Sequence, residues 1–111
     1  MPLVEVYARE QDFPKTFGAT ELEAFLLGHF GVERGVVQVM FIPVRELSPE
    51  PFYISIRAKG TPERAKRTAE LLAGLEGWLT QRGVTRGKVR MELYEPSLQS
   101  VRAWAPKQAK L

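Results

Sequence analysis

The sequence predicts an α+β domain made of two β-α-β units, a four-stranded sheet with two helices on one face. Three observations predict it. Four short stretches carry strand-like patterning, two longer stretches carry helical spacing, and the second half repeats the order of the first at a distance of about fifty residues. The halves are alike in pattern rather than identity, which implies a pseudo-two-fold arrangement.

Residues Leu3 to Arg9 alternate, with Val4, Val6 and Ala8 on one face and Glu5, Tyr7 and Arg9 on the other, as a half-buried strand does. Gln11 to Gly18 contains Pro14 and Gly18 and reads as a loop. Thr20 and Glu23 are spaced as a capping box, in which hydroxyl and carboxylate each satisfy an orphan amide at a helix start. Leu22, Phe25, Leu26 and Phe30 then share one helical face, and Gly31 is a stop. The run Val36 to Ile42 is almost wholly apolar and is closed by Pro43, which predicts an interior strand. Arg45 to Pro51 is a connection.

The second half follows the same plan. Phe52, Ile54, Ile56 and Ala58 alternate with Tyr53, Ser55, Arg57 and Lys59 in a third strand. Thr61 caps the next helix and Pro62 opens it, because a first-turn residue loses nothing by lacking an amide proton. Ala65, Ala69, Leu72, Leu75 and Leu79 mark its buried stripe, and Gly83 ends it. Val89, Met91 and Leu93 alternate with Arg90, Glu92 and Tyr94 in a fourth strand that stops at Pro96. Residues 1–96 therefore form a single domain. Residues 97–111 form a polar tail whose one large aromatic, Trp104, is expected to pack on a neighbouring subunit.

Composition narrows the function classes. A chain of 111 residues suits one domain. No apolar run approaches the roughly 20 residues of a membrane-spanning helix, and the start lacks the pattern of a secretory signal. Without cysteine there is no disulfide framework, thiol nucleophile or thiolate metal site, and the cytoplasm is the expected compartment. The net charge of +3 favours anionic ligands without implying nucleic acid. Asparagine is missing along with cysteine, a thermophile tendency. The single histidine, His29, has no spaced second ligand, so no metal and no cofactor is expected. A sheet with both helices on one side leaves its other face bare, and an apolar bare face needs a second copy to cover it.

The chemistry centres on the opening Met1-Pro2. Removal of Met1, the usual fate of a methionine before a small residue, leaves Pro2 with a secondary amine at the start of a strand. An α-amino group titrates at about 7.7–8.0 in peptides, and burial or a neighbouring cation lowers that value. A base poised near ambient pH is efficient at moving a proton between carbon and oxygen.

With Met1-Pro2 before a strand and two matched units, the chain resembles the tautomerase superfamily. The block Gly31 to Pro43 is similar to the second strand of macrophage migration inhibitory factor, a member, and Ser55 to Leu79 aligns with the family without a gap. The ending Met91-Glu92-Leu93-Tyr94-Glu95-Pro96-Ser97-Leu98 is similar to 5-carboxymethyl-2-hydroxymuconate isomerase, another member. The resemblance implies a homotrimer whose sheets form a central barrel. It also implies a cofactor-independent keto–enol tautomerase or isomerase, with Pro2 as general base and then acid on a small carboxylate substrate. The family's second-strand arginine falls on Gln38, which carries no charge, and its preceding lysine falls on Val32. Arg57, Lys59 and Arg90 border the implied pocket and are candidates, with Gln38, to hold the substrate. The alternatives are a tautomerase-fold protein without activity, or a ferredoxin-like module that binds a small ligand or stacks RNA on Tyr7, Tyr53 and Tyr94.

Overall fold

A computed structural model describes residues 2–30, 37–102 and 104–106. Its elements are β1 (Leu3–Ala8), α1 (Ala19–Phe30), β2 (Gln38–Pro43), β3 (Phe52–Lys59), α2 (Pro62–Gln81) and β4 (Lys88–Tyr94). Short 3-10 turns lie at Glu10–Asp12 and Pro96–Leu98. The strands form one sheet in the order β2-β1-β3-β4. β1 runs parallel to β2 and antiparallel to β3, and β3 runs parallel to β4. Each β-α-β unit thus contributes one parallel pair, and the units join antiparallel at the centre.

The central strands alternate strictly. On β1 the side chains of Val4, Val6 and Ala8 are buried, as are those of Phe52, Ile54, Ile56 and Ala58 on β3. α1 brings Leu22 and Leu26 onto this face, and α2 brings Leu71, Leu75 and Leu79. An aromatic seam closes the layer between the helices. Trp78 meets Phe17 at 4.8 Å and Phe25 at 5.4 Å between ring centroids, and Phe41 of β2 stacks on Phe13 at 5.4 Å.

Three expectations are corrected. The apolar run ending at Pro43 is an edge strand, not an interior one. Its described part is half-buried on both faces, with Val39 and Phe41 under the helices and Met40 and Ile42 on the open face. A central strand in a sheet with one covered face must alternate, as β1 and β3 do, but alternation alone does not place a strand, since the edge strand β4 alternates too. The first helix starts before the predicted Thr20–Glu23 box: the Gly18 amide donates to Glu21 Oε1 at 2.9 Å. On α2 the buried stripe passes through Leu71, not Leu72, and both Ala65 and Ala69 are exposed.

The predicted start and end of α2 hold. Thr61 Oγ1 accepts from the Arg64 amide at 3.1 Å, Pro62 follows, and Gly83 takes the left-handed conformation at φ +91° just past the end. The predicted stop at Gly31 lies outside the described residues, as do Val32, Val36, Met1, Lys107 and Lys110. No helix among the described residues is long and apolar enough to cross a membrane.

Candidate functional site

Because β1 starts where β3 ends, four of the five residues expected at the site fall at one end of the sheet. Pro2 comes directly before β1, Gln38 opens β2, Lys59 closes β3, and Arg57 lies two residues inside it. The register aligns Gln38, Leu3, Arg57 and Glu92 in one row across all four strands. Ser55 and Arg90 belong to the next row, on the same open face.

Pro2 is different. Its ring is fully buried, and its carbonyl accepts a hydrogen bond from the Gln38 amide at 3.0 Å. Its burial continues the alternation of Val4 and Val6, which places the ring on the helix-covered side. The proline and the cations therefore share one end of the sheet from opposite faces. A molecule touching both would have to lie across the strand ends, over the start of β1 and the end of β3.

The cations on the open face are already engaged. Arg90 Nη2 lies 2.6 Å from Glu92 Oε1, and Arg57 Nε lies 3.6 Å from Glu92 Oε2. One carboxylate thus bridges two guanidiniums, all three side chains being about half exposed. Each such surface pair contributes only about 0–1 kcal/mol. Ion pairing between β3 and β4 and along β4 accounts for these positions, and the bridge also holds both arginines together where an incoming carboxylate would compete with Glu92. Lys59 is exposed and sits opposite Tyr94; its carbonyl accepts from Arg64 Nη1 at 3.0 Å.

The open face is mixed rather than apolar. Leu3, Met40, Ile42, Tyr7 and Tyr53 supply apolar surface among Glu5, Ser55, Arg57, Arg90 and Lys88. Tyr7 and Tyr53 stack with centroids 5.8 Å apart. The Tyr7 hydroxyl donates to Glu5 Oε2 at 2.9 Å; that hydrogen bond above all, then burial, pushes the phenol pKa above its ordinary value of 10.0. Among the described residues no group of three or more His, Cys, Asp or Glu side chains could hold a metal ion.

Sequence reasoning missed two concave regions. A groove of about 540 Å³ lies at the other end of the sheet, between α2 and β4, with Phe52, Leu79 and Val84 in its lining and an Arg86–Glu50 ion pair of 2.9 Å beside them. A cleft of about 260 Å³ lies between the end of α1 and the start of α2, lined by His29, Arg64 and Arg67 among others. Neither was legible, because contact between elements distant in sequence leaves no periodic mark. Gly74, a glycine within α2, was the available signal for the second.

No family model and no curated protein matches the chain. Solved structures do. The chain is similar to FG41 malonate semialdehyde decarboxylase inhibited by 3-bromopropiolate, with a TM-score of 0.61 at 11% identity, covering 97% of this chain and 95% of that one. It is also similar to a domain of unknown function, DUF1904, from Sebaldella termitidis, with a TM-score of 0.54 at 12% identity, covering 91% of this chain and 95% of the other. At such identities the likeness concerns the fold. The chain shares with these structures a four-stranded, two-helix α+β fold, the tautomerase-like fold expected from the sequence.

Proposed function

We propose that the protein is a cofactor-independent tautomerase or isomerase of small carboxylate-bearing keto–enol substrates, active once Met1 is removed. The observation that carries the reading is the seat of Pro2. Its ring is fully buried at the sheet end that also holds Arg57 and Lys59. An amine there would lose hydration and feel nearby positive charge, and both effects favour the neutral, basic form. Pro2 would take a proton from the enol oxygen or the adjacent carbon and return it to the other. Arg57 and Lys59, with Gln38 and Arg90 beside them, would hold the substrate carboxylate and offset the charge that develops on the enolate oxygen.

This reading includes assembly. Leu98, Val101 and Trp104 of the tail are 86%, 75% and 87% exposed. Their burial on a neighbouring subunit, together with pairing of the open faces in a homotrimer, would cover the mixed apolar surface described above.

The test is ketonisation of phenylenolpyruvate by protein shown by mass spectrometry to begin at Pro2. Turnover that disappears in Pro2→Ala and weakens in Arg57→Gln is the expected result. Absence of turnover above background from verified free amine would remove the enzyme reading. A second reading, a tautomerase fold without activity, is favoured by one observation: Glu92 already occupies both Arg57 and Arg90. Sedimentation as a stable trimer without any turnover would support it.

A further inference from the structure

We propose that the groove between α2 and the start of β4 is a second binding site, for a free α-amino acid with an apolar side chain. It lies at the opposite end of the sheet from Pro2, Arg57 and Lys59, none of which lines it, so it is independent of the tautomerase reading. Its volume of about 540 Å³ falls within the roughly 300–1,000 Å³ of small-molecule sites.

Segments distant in sequence meet to form the floor. Phe52 opens β3, Leu72 and Leu79 come from α2, Val84 from the turn after it, and Val89 from β4. Phe52 and Leu79 belong to the core, at 3% and 4% exposure, whereas Leu72, Val84 and Val89 are half-buried. The groove therefore opens onto the rim of the hydrophobic core, where an apolar side chain of a ligand gains from leaving water. Gly87 fixes the near wall. A Cβ there would lie 2.8 Å from the Phe52 carbonyl oxygen, so glycine is what lets the segment carrying Arg86 come this close.

The charges on the walls select the ligand. The lining holds two carboxylates, Glu50 and Glu76, and two cations, Arg86 and Lys88. A net anion or a net cation gains little from so balanced a surface, but a zwitterion can meet both signs. Lys88 pairs in register with Tyr53 and belongs to the open face, so Arg86 is the cation that a ligand would touch. Its Nε pairs with Glu50 Oε2 at 2.9 Å, and Nη2 donates to the Pro49 carbonyl at 3.4 Å. A guanidinium has five N–H donors and these contacts use two, so three remain for a carboxylate. Glu76 is exposed and has no ion-pair partner among the described residues. One turn further along α2, the Thr80 hydroxyl donates to the Glu76 carbonyl at 2.8 Å, which leaves its lone pairs to accept. Glu76 and Thr80 thus offer acceptors for an ammonium group, Arg86 offers donors for a carboxylate, and the floor they border is apolar.

The test titrates the full chain with L-phenylalanine while the methyl resonances of Leu79 and Val84 are followed. Saturable shifts are expected, with Kd raised about tenfold or more in Glu76→Gln and in Arg86→Gln, since each removes one charge-assisted contact. Both side chains are exposed, so neither substitution should disturb the fold. The ligand can be dissected as well. 3-Phenylpropionate lacks the ammonium group and 2-phenylethylamine lacks the carboxylate, and each should bind about tenfold more weakly than phenylalanine. Equal binding of either analogue would overturn the amino-acid assignment. No saturable shift, or one that survives both substitutions, would overturn the site. A shift lost in Arg57→Gln would place the ligand at the Pro2 end of the sheet instead. Tenfold tighter binding in Trp104→Ala would identify the groove's occupant as the tail of another copy, and would likewise overturn the proposal.

Discussion

The two faces of the sheet use the same strands for opposite purposes. On the covered face, Val4, Val6, Ile54 and Ile56 are fully removed from water. On the open face their immediate chain neighbours, Glu5, Tyr7, Ser55 and Arg57, remain partly or largely exposed; Tyr7 is hydrogen-bonded to Glu5, and Arg57 pairs with Glu92. One residue of displacement along a strand therefore separates packing from chemistry. Burial of apolar area dominates stability, whereas exposed ion pairs contribute little. The covered face should thus hold the fold together, and the open face should be free to vary charge for recognition. Pro2 stands where the two regimes meet.

The sharpest way to break this comparison is to mutate adjacent residues of β3. Ile54→Ala removes fully buried volume and is expected to cost about 2–5 kcal/mol in denaturant unfolding. Ser55→Ala, one residue on and facing the other way, should stay within about 0.5 kcal/mol of the parent protein. Equal losses would mean that the open face is packed as tightly as the core.

A smaller effect is expected from Glu92→Gln. Unfolding should change by less than about 1 kcal/mol, since the bridge to Arg57 and Arg90 is exposed. The same substitution releases both guanidiniums, so KM for an anionic substrate should fall while kcat holds. A raised KM would mean that Glu92 positions the arginines rather than competing for them.

The smallest effect concerns Tyr7. Its phenol pKa is raised in the folded chain, first by the hydrogen bond to Glu5. The folded state therefore keeps its proton longer than the unfolded chain does. The associated stability is complete below the ordinary tyrosine pKa and is lost as pH rises through the raised one. Glu5→Gln should move the tyrosinate absorbance transition back toward that ordinary value and flatten the alkaline fall in stability.

Much of the fold was legible because one-sided burial imprints a period of two. β1, β3 and β4 lie within a residue of where alternation placed them, and the Thr61-Pro62 start and Gly83 end of α2 follow from backbone chemistry alone. β2 was misplaced because an apolar run reports burial without saying which neighbour supplies it. Α long stripe of α2 was misread at Ala65 and Ala69, since alanine fits a buried or an exposed helical position equally well. Of the site, the sequence could name Pro2, Gln38, Arg57, Lys59 and Arg90. It could not show that the Pro2 ring lies on the covered side, or that Glu92 ties Arg57 to Arg90, because these depend on register between strands.

The account turns on whether the Pro2 nitrogen is an amine. The most direct measurement compares ketonisation rates of protein with Met1 retained and protein with Met1 removed, across pH. The account predicts turnover only from the Met1-free form, with kcat/KM rising on deprotonation of a single group below the ordinary α-amino range of about 7.7–8.0. Equal rates from the two forms would contradict it, since the nitrogen of Pro2 acylated by Met1 has its lone pair delocalised into the amide and is not a base.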